Sequence, residues 1–211
     1  MNLTTQLKEL ADSAAKRHPG EAQIIMRNGI EELEKSNILS NAAKKGDVFP
    51  DFKLPNAKGE EDALSNILEK GKAVITFYRG GWCPYCNLEL KAFQNVLPEI
   101  KEKNATLIAI TPETPDNTLS TQEKNELEFE VLSSENNGLA RELNLVFKLP
   151  DDLASLYNKF GIDLEQSQGN QENELPIAAT YIVEQDGTIG YHFLAEDYKL
   201  RADPEEVLAN L

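Results

Sequence analysis

Two long apolar runs, residues 73–78 and 105–111, constrain the fold of this chain more than any other feature. Both are rich in β-branched and aromatic residues, which is typical of strands buried on both faces. Between them, apolar residues recur at helical spacing: Leu90, Phe93, Leu97 and Ile100. Pro98 lacks a backbone donor and should kink that helix. Strand, helix and strand in this order predict a right-handed parallel crossover, and therefore an α/β fold.

The segment after the crossover predicts more helices and one more strand. Residues 112–127 read as a loop and helix, residues 129–134 as a short strand, and residues 137–147 as a helix. Helical periodicity is weak at the start of residues 149–176, and the second half of that stretch is rich in Asn, Gln and Glu. We therefore expect the second half to be a mobile surface loop.

The C-terminal segment predicts a hairpin and a final helix. Two strands within residues 178–194 are joined by Asp186-Gly187, a strong signal for a tight turn. Asp203 is placed to cap a last helix, with Pro204 at its first position. A parallel crossover followed by a hairpin and a helix is the plan of a thioredoxin-like fold.

The N-terminal segment predicts a separate helical hairpin. Apolar residues recur at helical spacing on both sides of "HPG": Leu3, Leu7 and Leu10, then Ile25, Met26, Ile30 and Leu33. We expect residues 1–45 to form a helical extension and residues 46–211 to form the thioredoxin-like domain. The hairpin is suited either to cover the core or to form a homodimer contact, and the sequence does not choose between these roles.

Charge argues against two classes of partner. The chain has 21 Lys and Arg against 36 Asp and Glu, a net charge of −15. This sign opposes the phosphates that dominate affinity for nucleic acid, and it opposes anionic membrane surfaces. We find no basic leader, lipidation signature or apolar run of membrane-spanning length, so we expect a cytoplasmic protein.

The two cysteines, Cys83 and Cys86, both lie in one C-x-x-C motif. A secreted disulfide scaffold would spread several cysteines along the chain, whereas a lone C-x-x-C in a reducing compartment indicates catalysis or metal binding. A structural zinc site needs four ligands, and the histidines are His18 and His192, so we expect no metal, although a site shared across a dimer stays open. The motif follows the first core strand, where helix N-terminal amides favour a thiolate.

Three stretches carry a resemblance to a known family: "GDVFPDFKLPNAKGEE", "VITFYRGGWCPYCNLEL" and "TYIVEQDGTI". Together they resemble the peroxiredoxin-like branch of the AhpC/TSA, or redoxin, family over residues 46–211. The resemblance implies an antioxidant enzyme that reduces hydroperoxides through a cysteine pair. It implies that a thioredoxin- or glutaredoxin-like dithiol recycles the pair, and that no cofactor is needed because sulfur carries the electrons.

Aligning "FY" of the motif with the family pattern assigns roles to individual residues. Cys86 takes the position of the peroxidatic cysteine, Cys83 that of a family Thr or Ser, and Arg79 that of a family Pro. Ala178 stands where peroxiredoxins carry an active-site Arg. The resulting hypothesis is that Cys86 attacks the peroxide, Cys83 forms a disulfide with it, and Arg79 together with helix N-terminal amides stabilises the leaving oxygen. We expect three neighbouring residues to line the substrate site: Trp82, Pro84 and Tyr85.

Two other functions stay open from the sequence. In thioredoxin-like reductases with W-C-x-x-C the first cysteine attacks, which would make Cys83 the nucleophile of a disulfide oxidoreductase. A third interpretation is a redox-sensing binding module whose thiols do not turn over.

Overall fold

The computed structural model describes residues 2–18 and 20–211. Its helices lie at both ends of the chain and between the strands. They are α1 (Leu3–Arg17), α2 (Glu21–Lys35), α3 (Ile38–Asn41), α4 (Leu64–Leu68), α5 (Pro84–Asn95), α6 (Leu97–Glu102), α7 (Pro115–Asn125), α8 (Gly138–Glu142), α9 (Asp151–Lys159), α10 (Leu164–Gln168) and α11 (Pro204–Ala209). A 3-10 turn, Glu135–Asn137, precedes α8. No helix in the described ranges is long and apolar enough to cross a membrane.

The strands form one main sheet and two small ribbons. They are β1 (Lys53–Pro55), β2 (Glu61–Ala63), β3 (Lys72–Phe77), β4 (Ala105–Thr111), β5 (Glu130–Ser133), β6 (Val146–Lys148), β7 (Glu174–Pro176), β8 (Ala178–Val183) and β9 (Ile189–Ala195). The main sheet has the order β5-β4-β3-β8-β9. Strands β3, β4 and β5 are parallel to one another. Strand β8 is antiparallel to β3, and β9 is antiparallel to β8. The predicted crossover, hairpin and thioredoxin-like α/β fold are therefore confirmed.

The core lies on both faces of this sheet because the side chains of a strand alternate. Val74 of β3 packs with α5, α6 and α11 on one face. Its neighbour Ile75 packs with α4, α8 and residues around Phe49 on the other face. Both side chains are fully buried, as the continuous apolar run predicted.

Pro98 ends one helix and helps to begin the next. Helix α5 stops at Asn95, Val96 leaves the helical conformation, and α6 restarts at Leu97 with Pro98 in its first turn. A proline costs nothing in a first turn because its amide would have no intrahelical partner there. The kink expected at Pro98 is thus a break between two helices, α5 and α6.

The prediction of a mobile loop in the second half of residues 149–176 was wrong, because this part contains α10 and β7. Asp163 caps α10 by accepting a hydrogen bond from the Gln166 amide, and Ser167 and Gln168 are buried. Strand β7 pairs with β6. Ser167 also donates to Glu113 at 2.7 Å, so part of the order of this polar segment depends on residues distant in sequence, which its composition does not show.

The helix predicted over residues 137–147 is shorter than expected. Helix α8 ends at Glu142, and Asn144 adopts a left-handed conformation with φ of 57°. Val146 and Phe147 lie in β6 instead. The ribbon with β7 therefore replaces the last helical turn.

The predicted N-terminal helical hairpin is present as α1 and α2. Leu3 and Leu7 of α1 are buried in the cluster that contains α5. Helix α2 packs on α9, where Gly29 lies so close to Leu153 that an added Cβ would be 2.8 Å from its Cδ2. In this structure the hairpin covers the face of the domain that holds the cysteines.

Candidate active site

The cysteine pair lies where β3 ends and α5 begins. Cys83 is the N-cap residue of α5, Pro84 is its first helical residue, and Cys86 lies in the first turn. Both cysteines are free and fully buried. The loop needs its glycines, because a Cβ on Gly81 would lie 2.0 Å from the hydroxyl oxygen of Thr121.

Arg79, the predicted catalytic arginine, lies beside Cys83. Its Nη2 donates to Cys83 Sγ at 3.1 Å, and its Nη1 donates to the hydroxyl of Tyr157 at 2.9 Å. The guanidinium also stacks on two aromatic rings, 4.1 Å from the ring centroid of Tyr198 and 5.1 Å from that of Trp82. This packing holds a buried cation against the first sulfur.

Arg201, which the sequence analysis missed, lies beside Cys86. Its Nη2 donates to Cys86 Sγ at 3.2 Å, and its Nη1 pairs with Glu89 Oε2 at 3.1 Å. The side chains of Arg201 and Glu89 are 0% and 2% exposed, so this ion pair is screened from water. The arginine comes from the segment after β9, whose last residue, Ala195, pairs with Ala178. An arginine from the irregular segment between β9 and α11 thus contacts Cys86, although position 178 holds alanine.

The pKa values of the two thiols are shifted in opposite directions. Burial alone would raise the pKa of Cys83, but the hydrogen bond from Cys86 and the charges of Arg79 and Arg201 outweigh burial and hold this pKa well below its usual value. Burial and the neighbouring Cys83 hold the pKa of Cys86 well above its usual value, and Arg201 only partly opposes them. Glu89 neutralises part of the charge of Arg201, whereas Arg79 donates to the hydroxyl of Tyr157. These opposite shifts favour the thiolate at Cys83 over the thiolate at Cys86.

Two buried carboxyl groups complete the site. Burial raises the pKa of Glu89 to about 7, against the opposing effect of Arg201. Glu113 accepts hydrogen bonds from the Gly81 amide at 2.8 Å and the Ser167 hydroxyl at 2.7 Å, and burial raises its pKa as well. Glu113 thus fixes the glycine loop, while Glu89 fixes Arg201.

A sequence signal for Glu89 was available, but one for Arg201 was not. Glu89 shares the buried helical stripe of α5 with Cys86, Leu90 and Phe93, and a carboxylate on an apolar stripe needs a partner. That partner, Arg201, lies 112 positions away in an irregular segment. No local pattern marks it.

The predicted substrate-binding residues Trp82, Pro84 and Tyr85 line one cleft of about 860 Å³, together with Arg79. Aromatic pairs form its wall, with Trp82 against Tyr157 at 5.7 Å and Tyr85 against Tyr198 at 5.4 Å between ring centroids. The structure therefore brings all the predicted site residues to one place. Within the described ranges, no group of three or more His, Cys, Asp or Glu could hold a metal ion.

A thioredoxin-like fold that holds two buried cysteines at the start of the helix after a core strand defines a dithiol redox protein. The chain belongs to the AhpC/TSA family, whose family model matches residues 45–192. A putative peroxiredoxin bcp of Helicobacter pylori is 30% identical over 168 residues, covering 79% of this chain and 96% of the relative. Peroxiredoxin Bcp of Escherichia coli is 25% identical over 105 residues, covering 50% of this chain and 67% of the relative.

Solved structures show the same fold. The peroxidoxin BcpB structure from Mycobacterium tuberculosis superposes with a TM-score of 0.62 at 20% identity, covering 79% of this chain and 95% of that one. A Xanthomonas campestris peroxiredoxin Q mutant gives a TM-score of 0.59 at 17% identity, with coverage of 80% and 96%. These similarities agree with the family assignment from sequence.

Proposed function

We propose that this protein reduces hydroperoxides, with Cys86 as the attacking sulfur and Cys83 as the resolving sulfur. The observation that carries the proposal is the hydrogen bond from Arg201 Nη2 to Cys86 Sγ at 3.2 Å. Peroxide cleavage needs a donor at the place where charge develops, and a preorganised guanidinium is such a donor. Membership of the AhpC/TSA family and the similarity to named peroxiredoxins support the same reaction.

The first step uses both sulfurs. Cys83 carries the thiolate and accepts a hydrogen bond from the Cys86 thiol. The Cys86 proton passes to Cys83 as the Cys86 sulfur attacks the terminal peroxide oxygen. The O–O bond breaks, the departing alkoxide takes the proton from Cys83, and the alcohol leaves. Cys86 is then a sulfenic acid and Cys83 is a thiolate again.

The second step closes the disulfide. The Cys83 thiolate attacks the Cys86 sulfur, the S–S bond forms, and hydroxide leaves. Two electrons have then passed from the cysteine pair to the peroxide. An external dithiol of the thioredoxin or glutaredoxin kind returns them by thiol–disulfide exchange. We place the reaction in the cytoplasm, because that compartment keeps thiol pairs reduced.

The other site residues have distinct proposed roles. Arg79 stabilises the Cys83 thiolate and thereby keeps the resolving sulfur reactive. Trp82, Pro84 and Tyr85 form the wall against which the organic part of the substrate packs.

The experiment is stopped-flow fluorescence of the reduced protein mixed with hydrogen peroxide, with Trp82 as the reporter. Trp82 is the only tryptophan in the chain, so its signal reports on the site alone. Cys86→Ser should abolish the fast phase. Cys83→Ser removes the proton acceptor as well as the resolving sulfur, so it should react with peroxide more slowly than the wild type and accumulate a sulfenic acid on Cys86, which dimedone traps and mass spectrometry locates. A sulfenic acid on Cys83 in Cys86→Ser, formed at the wild-type rate, would reverse the roles, and an unreactive wild-type protein would reject the peroxidase.

A second candidate function is disulfide exchange with Cys83 as the nucleophile. The lowered pKa of Cys83, held down by Arg79 and Cys86 against burial, favours it. In this reaction Cys83 attacks a substrate disulfide and Cys86 releases the product. The test is the reaction of reduced Cys86→Ser with a small aromatic disulfide. A stable mixed disulfide on Cys83, together with no peroxide reaction in the wild type, would favour this function.

A further inference from the structure

The cleft beside the cysteines has a wall that the AhpC/TSA family match does not include. We call it the N-terminal cleft; α1 and α2 form one side, and Trp82, Tyr85, Tyr157 and Tyr198 form the other. The family model matches residues 45–192, whereas α1 and α2 lie within residues 3–35. A volume of about 860 Å³ is within the range of sites for organic ligands.

The charge of the N-terminal cleft is opposite to that of the whole chain. The charged residues that line it are cations, namely Arg17, Arg27, Arg79 and Lys199, and no Asp or Glu among the described residues lines it. The whole chain has a net charge of −15. A local excess of cations in an acidic protein attracts an anionic ligand.

The rim cations of the cleft are Arg17, Arg27 and Lys199. Among the described residues, Arg27 and Lys199 each have an acidic partner, whereas Arg17 has none. Arg27 pairs with Glu31 one helical turn away at 3.5 Å, and Lys199 pairs with Asp197 at 3.4 Å. Arg17 forms no ion pair with any residue that the structure describes. The exposed Arg27–Glu31 pair contributes little and exchanges readily, so Arg27 and Arg17 remain free to meet an anion.

The N-terminal cleft also exposes apolar surface. Ile24 of α2 is 49% exposed and Phe160, just beyond α9, is 37% exposed, and both line the cleft. Together with the aromatic wall they form a continuous apolar surface inside the cleft, and contiguous exposed apolar surface is typical of a binding site. A ligand with an apolar body would cover them.

Arg79 connects this cleft to the cysteines. It lines the cleft, and its Nη2 donates to Cys83 Sγ at 3.1 Å. Tyr85, another lining residue, directly precedes Cys86 in the first turn of α5. A ligand in the cleft therefore has one end against Arg79, one hydrogen bond away from the sulfur of Cys83.

We propose that the N-terminal cleft selects hydroperoxides whose apolar organic part carries an acid group. The apolar part packs on Ile24, Phe160 and the aromatic wall, and the acid group meets Arg17 and Arg27 at the rim. This assignment rests on the proposed peroxidase, because the peroxide end must react with the cysteines. A cationic ligand would be repelled by the rim, and a neutral ligand would leave the cations unused.

The first test measures binding without turnover. Octanoate and octanol, added to the reduced protein, have the same apolar chain and differ in charge, and Trp82 fluorescence reports their binding. Octanoate should bind more tightly than octanol. The double variant Arg17→Gln/Arg27→Gln should weaken octanoate about tenfold, since each exposed charge contact is worth about threefold. Lys16→Gln/Lys35→Gln is the matched control, because these cations lie on the same helices but outside the cleft.

The second test measures turnover with cumene hydroperoxide and its para-carboxylate. The carboxylate should have the lower KM, Arg17→Gln/Arg27→Gln should remove that advantage, and Lys16→Gln/Lys35→Gln should retain it. Equal octanoate affinity in the double variant and the wild type would overturn the acid-group assignment. Octanoate binding without any peroxide turnover would reject the peroxidase and, with it, the hydroperoxide as ligand, so the two failures are distinguishable.

Discussion

Cys83 and Cys86 lie three positions apart, yet each sulfur accepts a hydrogen bond from a different arginine. Arg79 comes from the same loop as the cysteines, and Arg201 comes from the segment between β9 and α11, far along the chain. Only Arg201 has a carboxylate partner, Glu89. Burial raises the pKa of both thiols, and the hydrogen bond between them lowers the pKa of Cys83 and raises that of Cys86, so the net shifts are opposite.

Arg201→Met should lower the rate of peroxide reduction by about a hundredfold or more, the usual cost of losing a preorganised donor in an active site. The measurement is the second-order rate constant for hydrogen peroxide from stopped-flow fluorescence. Labelling of Cys83 by a small aromatic disulfide should fall much less, because Arg79 remains in place.

A control is needed because Arg201→Met leaves Glu89 buried without a cation. The double variant Arg201→Met/Glu89→Gln removes both charges and should fold like the wild type but stay slow with peroxide. Arg141→Met replaces an exposed arginine elsewhere and should have the wild-type rate. A wild-type rate in the folded double variant would show that Arg201 is not catalytic.

At the scale of elements, two features hold the segment around Arg201: a hydrogen bond to Tyr198 before it and helix α11 after it. Arg201 Nη2 donates to the Tyr198 carbonyl at 2.9 Å, and α11 begins three residues beyond Arg201. Asp203 caps α11 by accepting a hydrogen bond from the Glu205 amide at 3.0 Å. Val207 anchors this short helix in the core, where it is fully buried.

Asp203→Ala should destabilise the protein by about 1 kcal/mol, because a helix cap is lost. For a chain of this size we expect the melting temperature to fall by about 2–4 °C. Circular dichroism during thermal unfolding measures it. Asp203→Asn retains a capping oxygen and should melt close to the wild type; an equal loss in both variants would point to the charge rather than the cap.

At the scale of the whole molecule, oxidation changes the charge balance of the core. The reduced site holds a thiolate between two buried arginines, and disulfide formation removes that negative charge. Arg79 is then buried without an anionic partner, which is costly. A disulfide that spans only three positions restricts the unfolded chain little in return. The fold therefore favours the reduced pair, which makes the disulfide a better oxidant.

We therefore expect the reduced protein to melt at least about 4 °C above the oxidised protein at pH 8, the equivalent of more than about 1 kcal/mol. Calorimetry with and without a phosphine reductant measures the difference. Folding lowers the pKa of Cys83 from its usual value of 9.0, so the stabilisation should grow as pH rises toward 9 and disappear below the folded pKa. Arg79→Met should remove the difference; a higher melting temperature for the oxidised wild type would contradict the charge argument.

The sequence alone was sufficient to predict the crossover, the hairpin, the final helix and the cysteine pair, because each depends on local patterns. Continuous apolar runs predict β3 and β4, Asp186-Gly187 predicts the turn before β9, and the C-x-x-C motif contains both redox cysteines. The family assignment also came from contiguous residues. Arg79 lies four positions before Cys83, so its place in the motif predicted that it is part of the site.

Only the tertiary structure decided which residues surround Cys86 and what lies over the site. Arg201 meets Glu89 across 112 positions, Ser167 of α10 donates to Glu113, and β7 forms by pairing with β6. The N-terminal cleft exists only because α1 and α2 fold back over the aromatic wall. Such contacts depend on how elements pack in three dimensions, and no pattern within one segment encodes them.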